Sequence, residues 1–199
     1  MRCLVLRRPA AALALVAAVV LAGCGHMPVT SMVKLSQIDF QTTDPEKLRV
    51  AVKLPRALKA RADGTVMRIV VKLTNGDEEA RDFALSAATD DEVAALATEG
   101  DAGSEMFAFA IAKNDIAQLR IFRTGLLQRK KSGSGGSLTI SVRPNVCRNE
   151  SLAGGPVLFT TYLKTAETDS YVPLARDVDL RTFDTNRDLA ALIPACEKI

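Results

Sequence analysis

The sequence contains no tryptophan, two tyrosines and a single histidine, and each scarcity removes a class of chemistry. His26 is the only imidazole, and it stands beside the amino-terminal segment, two residues after Cys24. Ser-His-Asp and Cys-His catalysis therefore lack a base in the folded part of the chain. Zinc sites lose their commonest ligand, no C-x-x-C pair is present, and no EF-hand loop can be read. The stretch Gly133 to Gly136 lacks the Lys-Ser/Thr of a P-loop, and no G-x-G-x-x-G follows a strand. Stacking platforms for sugars are equally scarce, since Tyr162 and Tyr171 are the only tyrosines and the seven phenylalanines mostly fall in apolar strands. Asp90, Asp91, Glu92, Asp177 and Asp179 could in principle pair for hydrolysis, but they sit at loop edges, where carboxylates are ordinarily solvated. No catalytic motif and no cofactor follow from these residues.

A second long apolar run is also missing, which excludes a polytopic membrane protein. The one run present is Ala10 to Ala22, preceded by Arg2, Arg7 and Arg8 with no opposing acid. At about 1.5 Å of helical rise per residue it spans about 20 Å, short of a bilayer core of about 30 Å, as in a signal peptide. The excess of +3 over 199 residues is carried wholly by those three arginines. Without residues 1–23, basic side chains equal the 23 acidic ones, and a nucleic-acid partner loses its electrostatic basis.

The run closes on Leu21-Ala22-Gly23-Cys24. This tetrad resembles the lipobox of bacterial lipoproteins, with leucine three places before the cysteine and small residues between. The resemblance implies cleavage before Cys24, a diacylglycerol on its thiol, commonly an acyl chain on the new amino group, and attachment to a membrane. An ordinary secretory signal or an uncleaved anchor is the competing reading. Gly25 occupies the position where lipoproteins retained in the inner membrane usually carry aspartate, so the expectation is the outer membrane facing the periplasm, with the inner membrane as alternative. Residues 24–34 read as a lipidated tether, with Gly, Pro and no clear period. A single globular domain is expected over 35–199.

With Cys3 in the leader and Cys24 assigned to lipid, Cys147 and Cys196 remain. In an oxidising compartment they suggest a disulfide that pins the C-terminal tail to the strand ending near Cys147, with two free thiols or a redox pair as alternatives. On the chain-entropy model such a loop contributes about 4 kcal/mol.

Strand signals dominate the domain. Leu48 to Leu54 alternates apolar and polar residues, and Thr65 to Leu73 does the same. Asn75-Gly76 predicts a hairpin whose loop runs on to Ala80, with Arg81 to Ser86 as the return strand. Thr89 to Thr98 reads as a short helix with Asp91 and Glu92 in its first turn, and Glu105 to Ala112 as a central strand. Asp115 to Lys131 is an amphipathic helix, capped by Asn114 or Asp115 and weakened or stopped by Gly125. Strands follow over 137–143, 156–164 and 171–178, then one helical turn over 188–193. The fold class is mainly β: an antiparallel β-sandwich-like domain with two inserted helices, or alternatively an α+β layer.

Two basic clusters stand out against the balanced charge. Lys53, Arg56, Lys59 and Arg61 surround the LPRALKARADG segment, read as a loop; Arg120, Arg123, Arg129, Lys130 and Lys131 lie on the long helix and its exit. They could contact anionic lipid, lipopolysaccharide or peptidoglycan, or form solvated faces. The expected role is non-catalytic, as an accessory or subunit of an envelope assembly with a protein partner; the alternative is a small apolar ligand or lipid held inside the sandwich.

Overall fold

The computed structural model describes residues 26–40, 42–133, 136–152, 154–183 and 188–197. The leader, the lipobox and Cys24 lie outside the described residues. The elements run α1 (Val29–Leu35), β1 (Arg49–Pro55), β2 (Leu58–Leu73), β3 (Glu78–Ala87), α2 (Asp90–Ala94), β4 (Ser104–Ile111), α3 (Lys113–Lys131), β5 (Gly136–Arg148), β6 (Leu158–Lys164), β7 (Val172–Asp179) and α4 (Leu189–Leu192). All strand pairings are antiparallel, in one seven-stranded sheet of order β5-β2-β3-β4-β1-β6-β7.

The sheet curls because β3 serves two neighbours in turn. Its first part pairs with β2, from Glu78 opposite Lys72 to Ala84 opposite Val66, and its end pairs with β4, from Leu85 opposite Ile111 to Ala87 opposite Phe109. A strand that changes partner along its length turns a corner between two sheet halves, as in orthogonal sandwiches. The expected mainly β, antiparallel, sandwich-like class is therefore what the molecule has.

Alternation decides which side chains fill the hollow. Val50 stands opposite Phe109 and Leu163, and Val52 opposite Phe107 and Thr161, so one face of β1, β4 and β6 is apolar but for Thr161. Met67, Ile69 and Val71 of β2 and Phe83 and Leu85 of β3 complete the same core. Helix α3 lies in it through Leu119 and Phe122, with Phe122 tilted 58° against Phe83 at 5.9 Å. Gly125 does not stop this helix, which runs on to Lys131. Asp115 does not cap it: its Oδ2 accepts from Ala84 N at 2.6 Å and fastens the helix start to β3.

Several boundaries depart from the sequence reading. The LPRALKARADG segment is not a loop, because β2 already begins at Leu58 and pairs with β5. Asp63 and Gly64, which look like turn residues, form a bulge between Arg61 and Val66, with Gly64 at φ +75° and Asn145 filling the space beside it. The Asn75-Gly76 hairpin closes sooner than expected, since Leu73 N donates to Asp77 O at 2.8 Å and β3 starts at Glu78. β5 extends to Arg148, well past the expected end. The stretch read as a tether carries α1, whose Ser31 is buried and whose Leu35 packs on the core.

Cys147 and Cys196 are bonded, with their Cα atoms 4.8 Å apart. Around them Arg148 N donates to Pro194 O and Cys196 N to Arg148 O, both at 2.8 Å, while Arg148 Nε reaches Ile193 O at 2.6 Å. The tail is thus held to the end of β5 as expected.

Candidate functional site

The most densely connected polar region lies on the outer face of β4, β1, β6 and β7. Small residues, Ala51 and Ala108, occupy that face and are buried together with Tyr162 and Leu96. Their size lets the segment 89–103 lie close to the strands. Carboxylates of that segment meet cations of the sheet at three points. Glu92 accepts from Lys164 Nζ at 3.0 Å and Tyr171 Oη at 3.1 Å, and pairs with Arg49 at 3.4 Å. Glu99 accepts from Tyr162 Oη at 3.1 Å and Arg176 at 3.4 Å. Asp101 pairs with Lys53 at 3.5 Å.

Burial by itself would raise the Glu92 carboxyl, but the hydrogen bonds from Lys164 and Tyr171 and the charges of Lys164 and Arg49 outweigh it, so it lies below the ordinary carboxylate value. Both tyrosines move the other way. Burial first, then the facing carboxylate, pushes Tyr162 and Tyr171 above the ordinary phenol value. The network is closed on itself, with each acid satisfied by a cation or phenol, and such an arrangement fastens a segment instead of offering a free acid or base. Sequence reading missed it: Arg49, Lys164 and Arg176 stand where a strand's solvent face is expected, and Glu92 and Glu99 become their neighbours only through the fold.

The other candidate carboxylates are also engaged or solvated. Asp179 Oδ1 accepts from Val157 N at 2.9 Å and Arg181 N at 3.0 Å, and those backbone bonds lower its carboxyl. Asp177, at φ +53°, exchanges hydrogen bonds with Thr160. Asp90 and Asp91 are exposed. Among the described residues no group of three or more His, Cys, Asp and Glu side chains is placed to hold a metal ion.

The two basic clusters are mostly taken up inside the molecule. In the first, Lys53 faces Asp101, and Arg61 lies 3.8 Å from Asp63. In the second, Arg120 pairs with Glu46 and Arg129 with Glu79, each at 2.6 Å. Arg123 turns inward and donates to the carbonyls of Phe40 and Thr43; burial, then the charge of Arg120, lowers its ordinary value. Arg56, Lys59, Lys130 and Lys131 remain exposed. His26 lies on the domain, contrary to expectation: Arg176 N donates to His26 O at 2.7 Å, and His26 Nδ1 donates to Arg176 O at 3.1 Å. This docks the segment to a backbone and brings the imidazole no nucleophile.

A largely apolar groove of about 240 Å³ lies between Phe40, Val71, Leu73, Leu126 and Leu138, with Arg129 and Lys130 also lining it. It closes tightly at Gly136, where a Cβ would meet the carbonyl of Lys72. Other openings are larger, and the two largest of them, of about 590 and 800 Å³, mix apolar with charged residues: Ile111 and Ile116 with Glu46, Arg49, Lys113 and Arg120 in one, Phe83 and Ile121 with Glu79, Arg81, Asp82 and Arg129 in the other. Among the described residues no helix is long and apolar enough to cross a membrane. Comparison of the chain with protein-family models, curated proteins and solved structures finds no match. What the surface does must follow from its own residues.

Proposed function

We propose that this chain is a bacterial envelope lipoprotein, held by acylated Cys24 in the outer membrane and facing the periplasm, whose domain serves an assembly as a non-catalytic binding or structural component. The anchor reading rests on the charged leader, the short apolar run and Leu21-Ala22-Gly23-Cys24. Several acyl chains, each contributing about 0.8 kcal/mol per buried methylene, anchor a protein stably.

The observation that carries the choice of a partner-binding module is the filled interior. Leu119 and Phe122 of α3 occupy the hollow of the curled sheet, where a small-ligand carrier would keep space. The apolar groove of about 240 Å³ also falls below the roughly 300 Å³ at which ligand pockets begin, and the depressions of about 590 and 800 Å³ carry charged side chains that do not suit an apolar ligand. With the ligand-carrier reading disfavoured, the surfaces left for contact are those around Arg56 and Lys59 and around Lys130 and Lys131.

Intact mass spectrometry of the detergent-extracted protein tests the anchor: the mature species begins at Cys24 and carries acyl chains, and Cys24→Ala remains unacylated. An extracted protein that keeps its leader or lacks acyl mass overturns it. Native mass spectrometry then separates the two roles. A domain that flies at its bare mass and is cross-linked to one stoichiometric envelope protein supports the module; a retained lipid or small apolar molecule supports the carrier.

A further inference from the structure

Helix α1 wears its apolar residues on the wrong side for a domain surrounded by water. Ser31 is 2% exposed and Leu35 turns to the core, whereas Val29, Met32 and Val33 are 76%, 45% and 61% exposed. Those three stand at i, i+3 and i+4, one continuous helical stripe. Among the described residues the other exposed large apolar side chains, Ile121, Leu138, Leu158, Phe183 and Leu192, fall singly on separate segments, which is ordinary for a protein surface. The helix has no acidic residue in its first turn and Lys34 in its last.

The chain limits what can lie against this stripe. His26 is fixed on β7 by its two contacts with Arg176, and two residues of chain, with a reach of about 7 Å at most, separate it from Cys24. Val29 is five residues from Cys24, a reach of about 18 Å at most. If Cys24 carries lipid, the stripe cannot be far from the bilayer surface.

We infer that the Val29-Met32-Val33 face of α1 beds into the acyl and headgroup boundary of the leaflet that holds Cys24, turning the β7 edge of the domain toward the membrane. The inference rests on the lipoprotein reading. A seven-residue helix binds a bilayer weakly alone, but the lipid anchor makes its contact intramolecular and so supplies a high effective concentration. The domain is then held in one orientation instead of swinging on a tether.

The absence of tryptophan makes the test direct. Val33→Trp, with Met32→Trp as a second variant, places a sole tryptophan on the stripe, and Ile121→Trp places one on the exposed side of α3. Full-length acylated protein is reconstituted in vesicles of phosphatidylethanolamine and phosphatidylglycerol, with and without brominated acyl chains. Tryptophan at 33 or 32 is expected to emit at shorter wavelength, to lose intensity to brominated lipid and to resist iodide; tryptophan at 121 is expected to behave in the opposite way. Vesicle-bound, acylated protein whose stripe tryptophan stays open to iodide, or is quenched no more than that at 121, overturns the seating of α1 alone. Shielding of the stripe without lipid quenching, accompanied by dimers in detergent, overturns it in favour of a second copy. Lack of acyl mass on Cys24 in the same samples overturns the lipoprotein reading and the inference with it.

Discussion

The part of the sheet built from β4, β1, β6 and β7 is covered on both faces, and the two covers follow different physics. On the inner face Val50, Val52, Phe109 and Leu163 meet α3 and the β2 and β3 side chains in a core of directionless apolar contact. On the outer face the buried cluster is small, made of Ala51, Ala108, Leu96 and Tyr162. There the position of the cover is set by Glu92, Glu99 and Asp101 finding Arg49, Lys164, Arg176 and Lys53. Apolar area supplies most of the stability, and directed polar contacts specify where a thinly packed segment lies.

The inner cover should break most expensively. Phe122→Ala removes a ring packed on Phe83 and should cost about 3–5 kcal/mol, read from the denaturant midpoint. A shift no larger than that of an outer-face variant would put the core somewhere other than the hollow. Loss of the Cys147–Cys196 bond through a double serine variant should cost about 2–4 kcal/mol. Peptide mapping without reduction should show the two cysteines linked, and alkylation of both in native protein would contradict it.

On the outer face, Glu92→Ala strands Lys164 and Arg49 and should cost about 1–3 kcal/mol. Its sharper signature is local: amide exchange near Leu96 and Ala108 should rise before the β2 and β3 amides respond. The pH dependence has a definite sign. Because the Glu92 carboxyl lies below its ordinary value of 4.5, its contribution is full above that pH and disappears as pH falls through the lowered folded value. The variant should therefore lose stability at pH 7 and show a shallower acid limb. At the alkaline end both tyrosines are raised from 10.0, so their support is full below that pH and is lost as pH rises through the raised folded values. With only two tyrosines in the chain, absorbance of the native protein should report phenolate formation at higher pH than in denaturant. Coincident curves would mean that the outer cover is not closed. The smallest effect belongs to Lys130→Ala with Lys131→Ala, within about 0.5 kcal/mol, because these exposed side chains hold nothing in place.

Much of the fold was legible because alternation is a local property. LRVAVKL, TVMRIVVKL and EMFAFAIA became β1, β2 and β4, and the three- and four-residue steps through Ile116, Leu119, Phe122 or Arg123, and Leu126 became α3. Misreadings arose where tertiary contact overrode a local signal. Asp63-Gly64 resembles a turn but becomes a bulge once β5 supplies Asn145 beside it. Residues 25–34 read as a tether, yet Ser31 and Leu35 gain a place against the domain and α1 forms, with Val29, Met32 and Val33 on its outward side. The candidate site was less legible than the fold. The basic clusters could be counted in the chain, but not that Arg120, Arg123 and Arg129 would be engaged by Glu46, backbone carbonyls and Glu79.

By itself the sequence determined the mainly β class, the strand and helix stretches and the cysteine pair suited to the tail, because hydrophobic period and residue chemistry are written along the chain. The tertiary structure alone decided that β3 would turn a corner between two partners, that the outer-face charges would neutralise one another, and that α1 would leave Val29, Met32 and Val33 facing outward. Each of these depends on which surfaces meet across long separations. A charge or an apolar side chain has no settled role until its neighbour in space is fixed.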